Sequence, residues 1–132
     1  MLRSVTVKDY VTVSPVVLTE NMPVMQAIQE LVKHQISGAP VQDLHGNLVG
    51  MISQRDCLKT VLSTSYHDEF AGTVADFMSR DVIRLDMDNN ILDAIEIFVN
   101  EGYQRIPVMD ENRLVGVISQ YDALRALKKV RG

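Results

Sequence analysis

One stretch of eleven residues occurs twice in this chain, and that duplication constrains the fold more than any other feature. The first copy runs Leu48-Val49-Gly50-Met51-Ile52-Ser53-Gln54-Arg55-Asp56-Cys57-Leu58, and the second runs Leu114-Val115-Gly116-Val117-Ile118-Ser119-Gln120-Tyr121-Asp122-Ala123-Leu124. Leu, Val, Gly, Ile, Ser, Gln, Asp and the final Leu keep their places. Each copy is an apolar run of strand formers, then Ser and Asp three apart, then a helical pattern. That order predicts a strand delivering a hydroxyl and a carboxylate to the mouth of a helix.

The repeat extends well beyond this stretch. Pro40-Val41 matches Pro107-Val108, and Ala27-Ile28 matches Ala94-Ile95, so the repeat is about half the chain. A helical lead-in at Val5 to Val11 is matched by Thr73 to Met78, with Thr73 as its cap. Strands follow at Val16 to Leu18 and Val82 to Leu85. Asn21 reads as an N-cap with Pro23 in the first turn. Helix-period stripes then run Val24, Ala27, Ile28, Leu31, Val32 and Ile91, Ala94, Ile95, Phe98, Val99, the second stopped by Gly102. Short strands at Ala39 to Val41 and Ile106 to Met109 carry prolines, which lack a ladder donor and so belong at a strand start or an edge. Hairpin loops at Asp43 to Asn47 and Asp110 to Asn112 offer Gly or Asn for positive φ. Helices leave each signature Asp at Cys57 to Leu62 and Ala123 to Val130. The division is thus repeat 1 at 5–62, a polar linker at 63–72 and repeat 2 at 73–130. Each repeat is strand, helix, strand, strand, helix. One alone is marginal in size, and two burying their sheet faces against each other make one pseudo-symmetric α/β (α+β) module.

Charge and composition exclude several function classes. The net charge is −4, spread along the chain, which argues against nucleic acid and anionic membrane as partners. Arg125, Lys128, Lys129 and Arg131 read as the basic last turn of a helix. The single Cys57 excludes an internal disulfide and fits a reducing compartment; among apolar helix positions it reads as a structural thiol. With no apolar run of membrane length and no signal-peptide pattern at Met1 to Ser4, the expected location is the cytoplasm.

The β-α-β-β-α unit, the apolar-Pro-Val strand and the Gly-x-Ile-Ser-x-x-Asp ending resemble a cystathionine-β-synthase (CBS) domain. From about Val5 to Val130 the chain resembles a tandem pair, or Bateman module, of the stand-alone kind. The resemblance implies a regulatory module whose inter-repeat clefts take an adenosine compound: AMP, ADP, ATP or S-adenosylmethionine. It implies pairing into a homodimer and an unidentified regulated protein as target, with no cofactor required.

Two clefts follow from that resemblance. The first comprises Val16, Ile36, Ser37, Arg105, Val117, Ser119 and Asp122. The second comprises Met51, Ser53, Arg55, Asp56, Ile83, Tyr103 and Gln104. The chemistry is coherent by itself: a carboxylate accepts from both ribose hydroxyls, Ser supports it, apolar side chains hold the base, and a guanidinium pairs phosphate. Gly38 stands where Arg105 stands in the other copy, so the first cleft is expected to take the phosphorylated ligand. Arg55 is the one residue placed to compensate in the second. Ser-x-x-Asp also matches a helix capping box, a role compatible with ribose binding.

No catalytic constellation is visible. His34, His45 and His67 are scattered, and no pair has metal-ligand spacing. The run Asp86-Met87-Asp88-Asn89-Asn90 lacks the glycine and terminal Glu of a calcium loop and reads as a helix N-cap region. The expectation is therefore no enzyme and no metal site. The alternative to a sensor is a ligand-free dimerisation or interaction adaptor with degenerate clefts.

Overall fold

The computed structural model describes residues 2–13, 16–63 and 72–131. Most of the polar linker thus lies outside the described residues. The chain divides into two compact units, residues 15–82 and residues 1–14 with 83–132. The boundaries of these units are offset from those of the sequence repeat, because each unit takes in the lead-in of the other copy.

In the continuous unit the elements are β1 (Leu18–Thr19), α1 (Val24–His34), β2 (Gly38–Gln42), β3 (Leu48–Ser53), α2 (Gln54–Ser63) and α3 (Val74–Phe77). β1 pairs parallel with β2, and β2 pairs antiparallel with β3. The buried side chains of Leu18, Ala27, Leu31, Val41, Ile52, Cys57 and Val74 form its core. The other unit repeats the plan with β4 (Leu85–Asp86), α4 (Ile91–Glu101), β5 (Arg105–Asp110), β6 (Arg113–Ser119) and α5 (Gln120–Arg131), preceded by short 3-10 turns at Leu2–Ser4 and Val7–Asp9. Its core joins Val7 from the amino-terminal segment to Leu85, Ile91, Phe98, Ile106, Val108 and Ile118.

The first strands are shorter and later than the expected Val16 to Leu18 and Val82 to Leu85. β1 finds parallel partners only at Val41 and Gln42, and β4 only at Val108 and Met109, so upstream residues have no ladder to join. Helix α1 is capped by Pro23 rather than Asn21. Pro23, at ψ 137°, turns its carbonyl to the N–H groups of Gln26 and Ala27 at 3.0 and 3.3 Å, while Asn21 lies in the turn before it. Asn90 caps α4, accepting from the Asp93 N–H while the Asp93 carboxylate takes the Asn90 N–H. This places Met87 to Asn90 in a turn and cap, with Asp86 ending β4 just before them. At Thr73 both the N–H and the hydroxyl donate to the Asp76 carboxylate, closing the start of α3.

The prolines overturn the edge expectation, since β2 and β5 are the central strands. Pro40 lies opposite Met51, whose N–H and C=O are both exchanged with Ser79 on the far side at 3.0 and 2.9 Å. Pro107 lies opposite Val117, which exchanges both groups with Thr12 at 2.9 and 2.8 Å. Each proline therefore occupies a non-hydrogen-bonded pair, where its missing donor costs no bond to that neighbour. The same crossings explain the signature glycines. A Cβ on Gly50 would meet Met78 Sδ at 2.6 Å and the Ser79 carbonyl oxygen at 2.7 Å, and one on Gly116 would overlap the carbonyl oxygen of Thr12. In the second hairpin the positive φ falls on Glu111 (53°), not Asn112, because the two-residue turn between Asp110 and Arg113 demands it there.

Candidate ligand-binding site

Both signature stretches end in the same junction. Ser53 closes β3 and α2 starts at Gln54; Ser119 closes β6 and α5 starts at Gln120. The helices thus begin before the signature Asp, not at Cys57 and Ala123. Asp56 and Asp122 stand at the third position of the first helical turn, as the acids of a reciprocal cap, which is why the helix starts early. The Ser53 N–H donates to Asp56 Oδ2 at 2.8 Å, and the Asp56 N–H donates to Ser53 Oγ at 3.1 Å. At the other junction the Ser119 N–H donates to Asp122 Oδ2 at 2.8 Å and the Asp122 N–H donates to Ser119 Oγ at 3.1 Å. Both carboxylates are buried. A buried carboxylate needs several donors, and each cap supplies the first of them. The glutamine that opens each helix ties it to the preceding loop: Gln54 N–H donates to the Ser37 carbonyl, and Gln120 N–H to that of Gln104.

The surroundings of the two carboxylates differ. The Ser119 hydroxyl also donates to Asp122 Oδ2 at 3.0 Å, and Arg125 Nη2 donates to Asp122 Oδ1 at 3.1 Å. The Arg125 guanidinium also lies over the ring of Tyr10, 5.6 Å from its centroid. Arg125 therefore does not belong to a basic last turn; it sits mid-helix, i+3 from its partner. Tyr10 is not among the sequence candidates and Arg125 is read there only as a last-turn cation, although Asp-x-x-Arg on a helix is a legible pair signal. Opposite Ser119 in register stands Arg105, the first residue of β5. Burial lowers the pKa of its guanidinium, and the nearby Asp122 charge works against that shift. Opposite Ser53 stands Gly38, where a Cβ would lie 3.0 Å from the Ile52 carbonyl oxygen. Burial, and then the charge of Asp56, raises the pKa of the Cys57 thiol.

Of the first residue set, the discontinuous unit holds Arg105, Val117, Ser119 and Asp122, with Val117 buried on β6. Val16, Ile36 and Ser37 belong to the continuous unit, where Val16 is in the core and Ile36 packs against it. Of the second set, the continuous unit holds Met51, Ser53, Arg55 and Asp56, with Arg55 exposed on the first turn of α2. Ile83, Tyr103 and Gln104 belong to the other unit; Tyr103 and Gln104 form the exposed turn before β5. Among the described residues no His, Cys, Asp and Glu cluster is arranged for a metal ion, and no helix is long and apolar enough to cross a membrane.

Comparison with known proteins agrees with this architecture. An A-adding tRNA nucleotidyltransferase of Aquifex aeolicus (strain VF5) is 37% identical over 123 residues, which is 93% of this chain but only 14% of that enzyme's length. The crystal structure of CBSX2 in complex with AMP, a protein of Arabidopsis thaliana, matches with a TM-score of 0.84 at 24% identity, covering 98% of this chain and 100% of that one. The CBS domain pair of protein MJ0100, in complex with 5′-methylthioadenosine and S-adenosyl-L-methionine, matches with a TM-score of 0.81 at 28% identity, covering 95% and 97%. The sequence pattern of the CBS domain matches residues 7–63 and again 74–129, so the chain belongs to the CBS-domain family as a tandem pair.

Proposed function

We propose that this chain is a regulatory module that binds an adenosine-containing ligand through its two strand-to-helix junctions and relays occupancy to a partner protein. The observation that carries the reading is Asp122: a buried carboxylate steadied by Ser119, with Arg105 in register opposite that serine. Such a group is suited to a ribose diol, which offers two donors, and Arg105 is suited to a phosphate. The MJ0100 pair, similar over nearly its whole length, holds two adenosine compounds. Asp56 has the same cap but Gly38 in place of Arg105, which favours an uncharged or cationic adenosine compound there.

The reading includes self-association. Val32 and Val99, and likewise Leu58 and Leu124, occupy equivalent helix positions and are 72%, 76%, 69% and 61% exposed. Apolar side chains presented in duplicate suit a second copy. The same exposed side chains favour a second reading, an adaptor that binds no ligand.

Thermal unfolding against AMP, ADP, ATP, S-adenosylmethionine and NAD separates them. A sensor gains stability as RT ln(1 + [L]/Kd), whereas an adaptor gains none. Because Asp122 also caps α5, the site is located by calorimetric titration of Asp122→Asn well below its melting temperature. Unchanged affinity in that variant contradicts the assignment.

A further inference from the structure

We infer that Arg125 decides which adenosine compounds the Asp122 site accepts and couples its occupancy to the amino-terminal turn. The inference rests on the reading of Asp122 as the ribose-binding carboxylate. Oδ2 of Asp122 already accepts from the N–H and the hydroxyl of Ser119, and Oδ1 accepts from Arg125. A carboxylate oxygen has room for about two hydrogen bonds. The two hydroxyls of a ribose must therefore be received mainly at Oδ1, in competition with the guanidinium. Displacing Arg125 breaks a charge-assisted bond at a buried acid. A ligand that brings negative charge offers the freed guanidinium a new partner, and a neutral nucleoside does not. Arg125 thereby favours nucleoside phosphates over nucleosides.

The other face of Arg125 shows where the displacement is felt. Its guanidinium rests on Tyr10, whose N–H donates to the Val7 carbonyl at 2.9 Å and closes the Val7–Asp9 turn. With Ser4, Asp9, Tyr10 and Lys129, Arg125 lines a cavity of about 700 Å³, so a guanidinium leaving Asp122 has space to move within the same unit. The corresponding residues of the other junction are Lys59 and Phe77, and an ammonium lacks the planar fork that can face a carboxylate and a ring together.

The test is calorimetric titration of the full chain with adenosine and with AMP, in the parent protein, Arg125→Ala and Arg125→Lys, with amide hydrogen exchange followed at Tyr10. The parent is expected to prefer AMP by about tenfold. In Arg125→Ala, adenosine binding tightens about fivefold, because the ligand now satisfies an acceptor left without its donor. A residue that only supports the fold would not raise affinity. Arg125→Lys, which keeps the charge, retains part of the preference and covers the case in which the alanine variant fails to fold. AMP speeds exchange at Tyr10 in the parent and leaves it unchanged in Arg125→Ala. Binding in the parent with the same adenosine-to-AMP ratio in both variants overturns this inference alone. No binding of either compound to the parent overturns the ribose reading, and the inference with it.

Discussion

The Asp56 and Asp122 junctions share a backbone plan and a hydrogen-bond plan, yet they present different charge. Each has the Ser–Asp cap, a glutamine tied to the preceding loop, and a glycine crossed by an incoming segment. Around Asp122 stand Arg105 and Arg125; around Asp56 the first of these is Gly38 and the second Lys59. The shared part builds the junction, and in the function proposed above the variable part tunes it for a ligand. A capping carboxylate has a structural reason to exist at both ends, so its presence alone says little about binding. Its neighbours say more.

The sharpest structural test compares the two crossed glycines. Gly116→Ala forces its Cβ into the Thr12 carbonyl, a backbone group with little freedom, and is expected to cost about 3 kcal/mol by chemical denaturation. Gly50→Ala meets a flexible Met78 side chain as well as the Ser79 carbonyl, and should cost about 2 kcal/mol. Equal costs would mean that both crossings are equally rigid.

The two acids come next. Asp122→Ala leaves Arg125 and the Ser119 N–H without their acceptor and should lose about 2 kcal/mol of stability, against about 1 kcal/mol for Asp56→Ala, which removes the acceptor of the Ser53 N–H. Urea denaturation at neutral pH reads the difference. The helix ends give smaller effects. Both α1 and α4 stop at a left-handed residue, Gln35 at φ 53° and Gly102 at φ 72°. Gly102→Ala should cost about 1 kcal/mol, and Gln35→Gly should gain a few tenths.

The smallest effect lies at Cys57, which corresponds to Ala123. Its raised thiol pKa means that the folded state favours the neutral form. The stabilisation is complete below the ordinary thiol value of about 8.5 and is lost as pH climbs through the raised value. Alkylation of the folded chain at pH 8.5 should therefore be slower than that of the denatured chain, and Cys57→Ala should flatten the alkaline limb of stability.

Much of this is legible in the sequence for physical reasons. The repeat, the element order, Gly102 as a helix stop and the Gly38–Arg105 contrast follow from local pattern. The central prolines were not legible, because their tolerance depends on Ser79 and Thr12 arriving from distant sequence to occupy the outer edges of β3 and β6. The offset of the compact units from the repeat has the same origin. Pro23 in place of Asn21 was a matter of two residues, decided by which carbonyl reaches the first helical amides. Arg125 was misplaced because helix α5 starts earlier than its apolar pattern, which turns a supposed last-turn cation into a mid-helix partner for Asp122.

The most direct test of the central claim is calorimetric titration of AMP into the parent chain, Asp122→Asn and Asp56→Asn under identical conditions. The account predicts binding in the parent, at least about tenfold weakening in Asp122→Asn, and a smaller change in Asp56→Asn. Equal weakening in both variants, or affinity in Asp122→Asn equal to that of the parent, would contradict it.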